Sequence, residues 1–362
     1  MTAAGSAKVI ADFTAFSATT RRRAPLYSSI SARIADAPLL LNLMLAAPEP
    51  ARVPVNLFAA VHDLLLQDRS DRLARFYPNL TRNPDVGDPM PEFLAFCSAR
   101  AGELQASLAT RFPQTNEIGR SALFLAGIDR LGPSPIGHLD LGASAGLNLL
   151  VDKLAYRDAD GALLGDSEVV LDCRIRGEPD KLAGRLPVIE ARLGLDIAPI
   201  DPADADGLRW LKACVWPDQA DRFHRLEAAI ELRGRHPVQV RRGDIVDDLA
   251  SAVDAVAGGG RPVVTTSWVL CYLDADRQGA WLAQMERLGA GVDLSWVWAE
   301  APSQVGVLPV GARLSGSEST ILGVTTWRDG VRTDVALARC HQHGYWVHWL
   351  QGSEPRPAGI GA

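Results

Sequence analysis

The 362-residue chain has no pair of cysteines at C-x-x-C spacing. Its five cysteines, Cys97, Cys173, Cys214, Cys271 and Cys340, are scattered and odd in number. That excludes a disulfide framework and a zinc knuckle and fits reduced thiols. Long apolar runs are also missing. The most apolar early stretch, 38–47, contains Asn42 and is far too short to span a bilayer. The opening MTAAGSAKVIADFTAF lacks the charged region and apolar core of a signal peptide, so a soluble, cytoplasmic protein with no membrane partner is expected. An excess of basic charge is also missing: the net charge is −6, and Arg21 to Arg23 form the one dense basic run. No nucleic-acid partner is therefore expected. There is no internal repeat and no low-complexity tract.

What is present is a change of pattern along the chain. The first third reads as helical. Leu57, Val61, Leu64 and Leu65 share one helical face, and so do Phe93, Phe96 and Leu104, Leu108 in the next segments. Turn-rich stretches at 48–54 and 79–91 separate them. After a Gly/Pro cluster at 131–135, short apolar strands are expected at 136–141, 169–175, 238–241, 263–267 and 294–299. Helices are expected between them at 147–154, 208–231, 245–256 and 275–288. This alternation predicts a doubly wound, mainly parallel sheet. Segments 323–328, 333–339 and 345–350 are rich in Val, Thr, Tyr and Trp, with turns at Asp329-Gly330 and His343-Gly344, and predict an antiparallel edge. The chain is expected to divide into a helical N-terminal domain over 1–130 that caps a pocket and an α/β domain over 131–362, with an insertion near 158–190.

The most informative segment is IGHLDLGASAGLNLL at 136–150. A strand runs into a turn of small residues, where a backbone can approach a ligand and a following helix offers N–H groups. Asp140 precedes Gly142, Ser144 and Gly146 at alternate positions. An acid there suits a ligand bearing an amine rather than a pyrophosphate, which counts against a nicotinamide cofactor. The plain alternative is a tight strand-to-helix turn with no ligand.

The segment resembles the first motif of class I S-adenosylmethionine-dependent methyltransferases, with Ser144 where a glycine is usual. The resemblance implies a Rossmann-like sheet and S-adenosylmethionine as cofactor. It places Gly142, Ser144 and Gly146 along the methionine part and Asp140 near its amino group. VRRGDIVD at 240–247 resembles the later turn whose acid, here Asp244, faces the adenine amine; an ordinary helix cap is the alternative. VVTTSWVLCYL at 263–273 resembles the fourth strand and its loop, with Thr266, Ser267 and Trp268 toward the reactive end. For the ribose-binding acid, 194–201 resembles a second strand with an acidic end, which makes Asp196 the candidate and Asp201 the reserve, while Asp158 lies nearer the usual distance but in a turn-like run. No Asn/Asp-Pro-Pro-Tyr run follows the fourth strand, which disfavours amino methylation of adenine or glutamine. Cys271 follows Leu270 rather than proline, which disfavours thiolate chemistry on cytosine.

A closer resemblance rests on APLY at 24–27, ARFYP at 74–78, QTNEIGR at 114–120, GASAGLNL at 142–149 and VWPDQ at 215–219. Together these resemble a bacterial domain-of-unknown-function family, number 2332, whose substrate the resemblance leaves open. In QTNEIGR, Asn116, Glu117 and Arg120 are expected in the active-site wall, with Arg120 clamping a carboxylate. The alternative is that Thr115 or Asn116 caps the following helix and Glu117 complements its dipole. The expected activity is methyl transfer to an O or N of a small molecule, with Glu300 or Glu117 as a base if one is used.

Two rivals remain. Gly142-Ala-Ser-Ala-Gly146 also fits the elbow of an α/β-hydrolase, with Ser144 as nucleophile, Asp293 or Glu300 as acid and His341 or His348 as base. A non-catalytic protein binding S-adenosylmethionine or a nucleotide could use the same loop. Cys340, His341, His343 and His348 read as polar residues of an edge hairpin rather than a metal site.

Overall fold

The computed structural model describes residues 3–351 and 356–357. The chain separates into two compact units, one formed by Met1–Thr115 with Asp201–Glu227 and the other by Asn116–Ile200 with Ala228–Ala362.

The first unit is helical. Proline sits in the first turn of Pro25–Ser31, Pro38–Ala46 and Pro54–Gln67, where its missing N–H costs nothing and its fixed φ starts the helix. Leu57, Val61, Leu64 and Leu65 are buried as their spacing predicts, together with Phe13, Tyr27, Leu40, Phe93 and Leu104. Helix Pro54–Gln67 also buries His62 and Asp63, and both are satisfied within the unit. His62 Nδ1 donates to the Ala213 carbonyl at 3.0 Å, and Nε2 accepts from Asn79 at 2.9 Å. Burial pushes this imidazole down to about 4, so it is neutral. Asp63 accepts from Arg209 at 2.9 Å. These partners tie 201–227 to the helical unit. The single helix expected at 208–231 is two, Ala205–Ala213 and Ala220–Arg235, separated around Pro217.

The second unit is α/β. Its main sheet contains β1 (Ile136–Leu141), β2 (Ile189–Asp196), β3 (Gln239–Arg242), β4 (Arg261–Ser267), β5 (Leu294–Glu300), β6 (Thr320–Arg328), β7 (Val331–Cys340) and β8 (Trp346–Trp349). The spatial order is β3-β2-β1-β4-β5-β6-β7-β8, with Arg174–Arg176 beyond β8. The block β3 to β5 is parallel, and β6 to β8 pair antiparallel. The β6–β7 hairpin turns at Asp329 and Gly330, both with positive φ, as the Asp-Gly pair predicts. The division expected at 130/131 falls at 115/116 because helix Ser121–Asp129 packs on β5 and β6. The insertion carries a small sheet of Ala155–Arg157, Leu163–Leu164 and Val170–Asp172.

Burial splits β1 by face. Leu139 and Leu141 join Leu249, Val253, Trp281, Trp296 and Trp298 in one core, beneath helices Leu249–Ala257 and Ala275–Gly291. The indoles of Trp281 and Trp296 meet edge to face at 4.7 Å. His138 points the other way, edge-on to Phe124 of helix Ser121–Asp129. By strand alternation Asp140 shares that face. Among the described residues no helix is long and apolar enough to cross a membrane.

Candidate functional site

In the parallel block, β2 and β3 extend to one side of β1, while β4 and β5 extend to the other. The order therefore reverses between β1 and β4, and the crevice at the carboxyl ends of these strands is where open α/β sheets bind ligands. Asp140, Ser267 and Glu300 sit at or near the carboxyl ends of β1, β4 and β5.

Asp140 is 3% exposed. Its Oδ1 accepts from Thr265 Oγ1 at 2.7 Å, across the β1–β4 pair. Thr265 in turn lies 3.0 Å from His138 Nε2. With the Thr265 proton given to an ionised Asp140, His138 Nε2 is the N–H donor. Burial pushes Asp140 up to about 7, opposed by the Thr265 hydrogen bond and the Arg120 charge. Burial lowers His138 to about 3 and keeps it neutral. Thr265 is absent from the sequence-derived residues; its neighbour Thr266 stands there instead. Thr266 faces the tryptophan core and accepts from Trp296 Nε1 at 2.9 Å. A one-residue shift along a strand exchanges faces, and both faces of β4 are buried.

The loop after β1 is held almost entirely by the protein. Gly142 and Ala143 N–H donate to the Leu195 carbonyl, and Gly146 N–H to that of Ala143. Ser144 N–H donates to Asp196 Oδ2 at 2.8 Å. Ala145 and Leu147 N–H share Asn116 Oδ1, at 3.2 and 3.1 Å. All six amides from 142 to 147 are thus engaged. The helix expected at 147–154 is a short 3-10 segment, Leu147–Lys153, with a break at Leu150. It supplies no N-terminal anion site. Gly142 and Gly146 are required by positive φ and by packing: a Cβ at Gly142 would stand 2.6 Å from Val269, and one at Gly146 would stand 2.8 Å from Val240. Ser144 adopts the same left-handed region at φ 52, and its buried Oγ has no hydrogen-bond partner.

The loop after β4 is built similarly. Trp268 has φ 54 and gives its indole N–H to Thr320. Glu300 Oε1 accepts from Val269 and Leu270 N–H, at 3.2 and 3.4 Å. Glu300 is fully buried, and its Oε2 has no hydrogen-bond partner. Burial pushes its carboxyl up to about 7 against those amides and Arg120. Ser267 Oγ is likewise buried without a partner. Asp196 and Glu300 therefore do equivalent work: each ends one strand and fixes the loop that follows another.

Arg120 donates Nε to the Gln342 carbonyl at 3.1 Å and Nη1 to the Ser267 carbonyl at 2.8 Å. It clamps backbone at the rim and contributes a positive charge felt by both Asp140 and Glu300. Glu117 caps Gly119 N–H through Oε1 and lies 3.5 Å from His343 Nδ1 through Oε2. The backbones of Gly119 and Gly344 touch, and this brings 341–346 against 117–120. His341 stacks on Tyr345 at 4.5 Å. Among the described residues, no group of three or more His, Cys, Asp or Glu could hold a metal ion. Exposed Tyr272, not singled out in the sequence, and half-buried Cys271, weighed there only as a thiolate nucleophile, also sit near Arg120 and Glu300.

The remaining acids lie elsewhere or are committed to turns. Asp196 also accepts from Ala198 N–H at 2.8 Å. Asp244 caps Val246 and Asp247 N–H and pairs with Arg277, so its contacts describe the cap. Asp158 accepts from Asp160 and Ala162 in a turn of the small sheet. Asp201 accepts from Ala203 and belongs to the helical unit. The elbow geometry of a hydrolase lacks two parts here. Ser144 Oγ has no histidine partner, and the Ala145 N–H that would complete an oxyanion hole goes to Asn116.

No curated protein and no solved structure matches the chain. A family model described as "Uncharacterized protein conserved in bacteria (DUF2332)" matches residues 11–349, nearly the whole length, and the chain belongs to that family.

Proposed function

We propose that the sheet unit is a Rossmann-like methyltransferase domain that binds S-adenosylmethionine at the carboxyl rim of β1, β4 and β5. It then transfers the methyl group to an O or N of a small molecule. The observation that carries this reading is Asp140, a buried carboxyl at the switch point, tied to Thr265 and set before a loop whose amides are already spent. Such a loop offers little to a pyrophosphate but leaves a carboxylate for an ammonium group.

The partnerless atoms fit the same group. Ser144 Oγ, Ser267 Oγ and Glu300 Oε2 are buried polar atoms that gain from a ligand with amine and hydroxyl functions. Asp140 would hold the amine. Asp196 spends one lone pair on each oxygen and keeps capacity for a ribose hydroxyl. When bound, S-adenosylmethionine supplies a methyl group activated on a sulfonium. The chain's part is to hold the acceptor in line, exclude water and fix the loops through Asn116, Asp196 and Glu300.

The test is calorimetric titration of S-adenosylmethionine into wild type and Asp140→Asn. Micromolar binding, weakened tenfold or more in the variant, is expected, since losing a charge-assisted contact costs about 1.5–3 kcal/mol. No binding by folded wild type would sink the proposal.

A further inference from the structure

Two buried carboxyls, Asp140 and Glu300, stand at the same rim, and their surroundings divide their work. Asp140 faces the Thr265 hydroxyl, the Arg120 charge and the Asp196 carboxylate. Glu300 faces Arg120, the Cys271 thiol, the Tyr272 hydroxyl and the backbone N–H groups of 268–270. Arg120 hydrogen-bonds two backbone carbonyls, and its positive charge acts on both acids. Glu300 has one oxygen occupied by the loop and one with no hydrogen-bond partner, in a residue with no exposure to solvent.

Resting on the methyltransferase reading, we infer that Glu300 Oε2 is the site's sensor of sulfonium charge, so that the cationic cofactor displaces a proton from Glu300 while its neutral thioether product does not. Both ligands carry the same amine for Asp140, so proton loss from Asp140 is common to both. The sulfonium belongs to S-adenosylmethionine alone, so any difference reports a group that responds to that charge. A carboxyl held near neutrality by burial is charged when a cation arrives and protonated when it leaves. Such a device favours release of the spent product after transfer, because a protonated Glu300 has no use for an uncharged sulfur.

The direction with pH follows. Below about 7 the free carboxyl carries its proton, and the cation must expel it; above about 7 it is already charged. S-adenosylmethionine should therefore gain on S-adenosylhomocysteine by up to about tenfold as pH rises from 6 to 8. Glu300→Gln keeps an oxygen for the Val269 and Leu270 amides while removing the titration.

The experiment titrates both ligands into the full-length protein at pH 6, 7 and 8, in buffers of different ionisation enthalpy, for wild type and Glu300→Gln. Expected is a larger proton release with S-adenosylmethionine at pH 6, fading by pH 8 and abolished in Glu300→Gln. Equal release with both ligands in wild type overturns the inference, whatever the variant does, and leaves the cofactor reading standing. An excess that survives in a folded Glu300→Gln also overturns it. Failure of both ligands to bind folded wild type removes the cofactor reading and the inference together.

Discussion

Replacing Asn116 with alanine isolates what holds the loop after β1. The Asn116 side chain is buried, and one oxygen serves both Ala145 N–H and Leu147 N–H. Neither amide has another partner within the loop, because the neighbouring carboxylate, Asp196, is taken by Ser144 and Ala198. Each buried donor stripped of its acceptor costs about 1–3 kcal/mol, so the pair costs about 2–6 kcal/mol. Against a typical total of about 5–15 kcal/mol this is a large fraction. Seven of the nine tryptophans, all but Trp210 and Trp216, lie in the sheet unit, so indole fluorescence in urea reports that unit. The midpoint should fall by about 1–2 M with an unchanged slope. A loss below about 0.5 kcal/mol would refute the claim that Asn116 is the loop's clamp.

The site carboxyls should shape stability with pH. Their folded values are raised to about 7, so their contribution is fully present below the unfolded carboxylate range and is lost as pH rises through about 7. Wild type should gain on Glu300→Gln between pH 7.5 and 5 in chemical denaturation; a constant difference contradicts the raised value. In thermal melts, Gly146→Ala should lose about 2–4 kcal/mol, from a φ of 74 and a Cβ only 2.8 Å from Val240. Ser144→Gly, at a position glycine adopts freely, should change stability by less than about 1 kcal/mol. Arg209→Ala leaves the mostly buried Asp63 without its ion pair and should cost about 1–3 kcal/mol. An unchanged denaturation midpoint would deny that this pair ties 201–227 to the helical unit.

Local pattern made much of this arrangement readable. The run from Ile136 to Leu141 is a strand with the expected ends, and Asp329-Gly330 turns the hairpin it resembles. Segments with continuous apolar character became β4 and β5. What eluded the sequence is long-range. Nothing local tells that Arg174–Arg176 pairs with β8, or that 201–227 returns to the helical unit. Thr265 and Thr266 are chemically alike, and only the register against Asp140 chooses between them. The expected helix after Gly146 failed because the chain kinks at Leu150 after a single tight turn. The meeting of Glu117 with His343 depends on two glycine backbones touching across more than two hundred residues, a contact with no local signal.

The most direct measurement is a crystal structure of the protein grown with S-adenosylhomocysteine. Ligand density is expected at the carboxyl rim of β1 and β4, with the amine within hydrogen-bond distance of Asp140 and ligand polar groups on Ser144 or Ser267. Density bound elsewhere, or a rim filled only by water at saturating ligand, would contradict it.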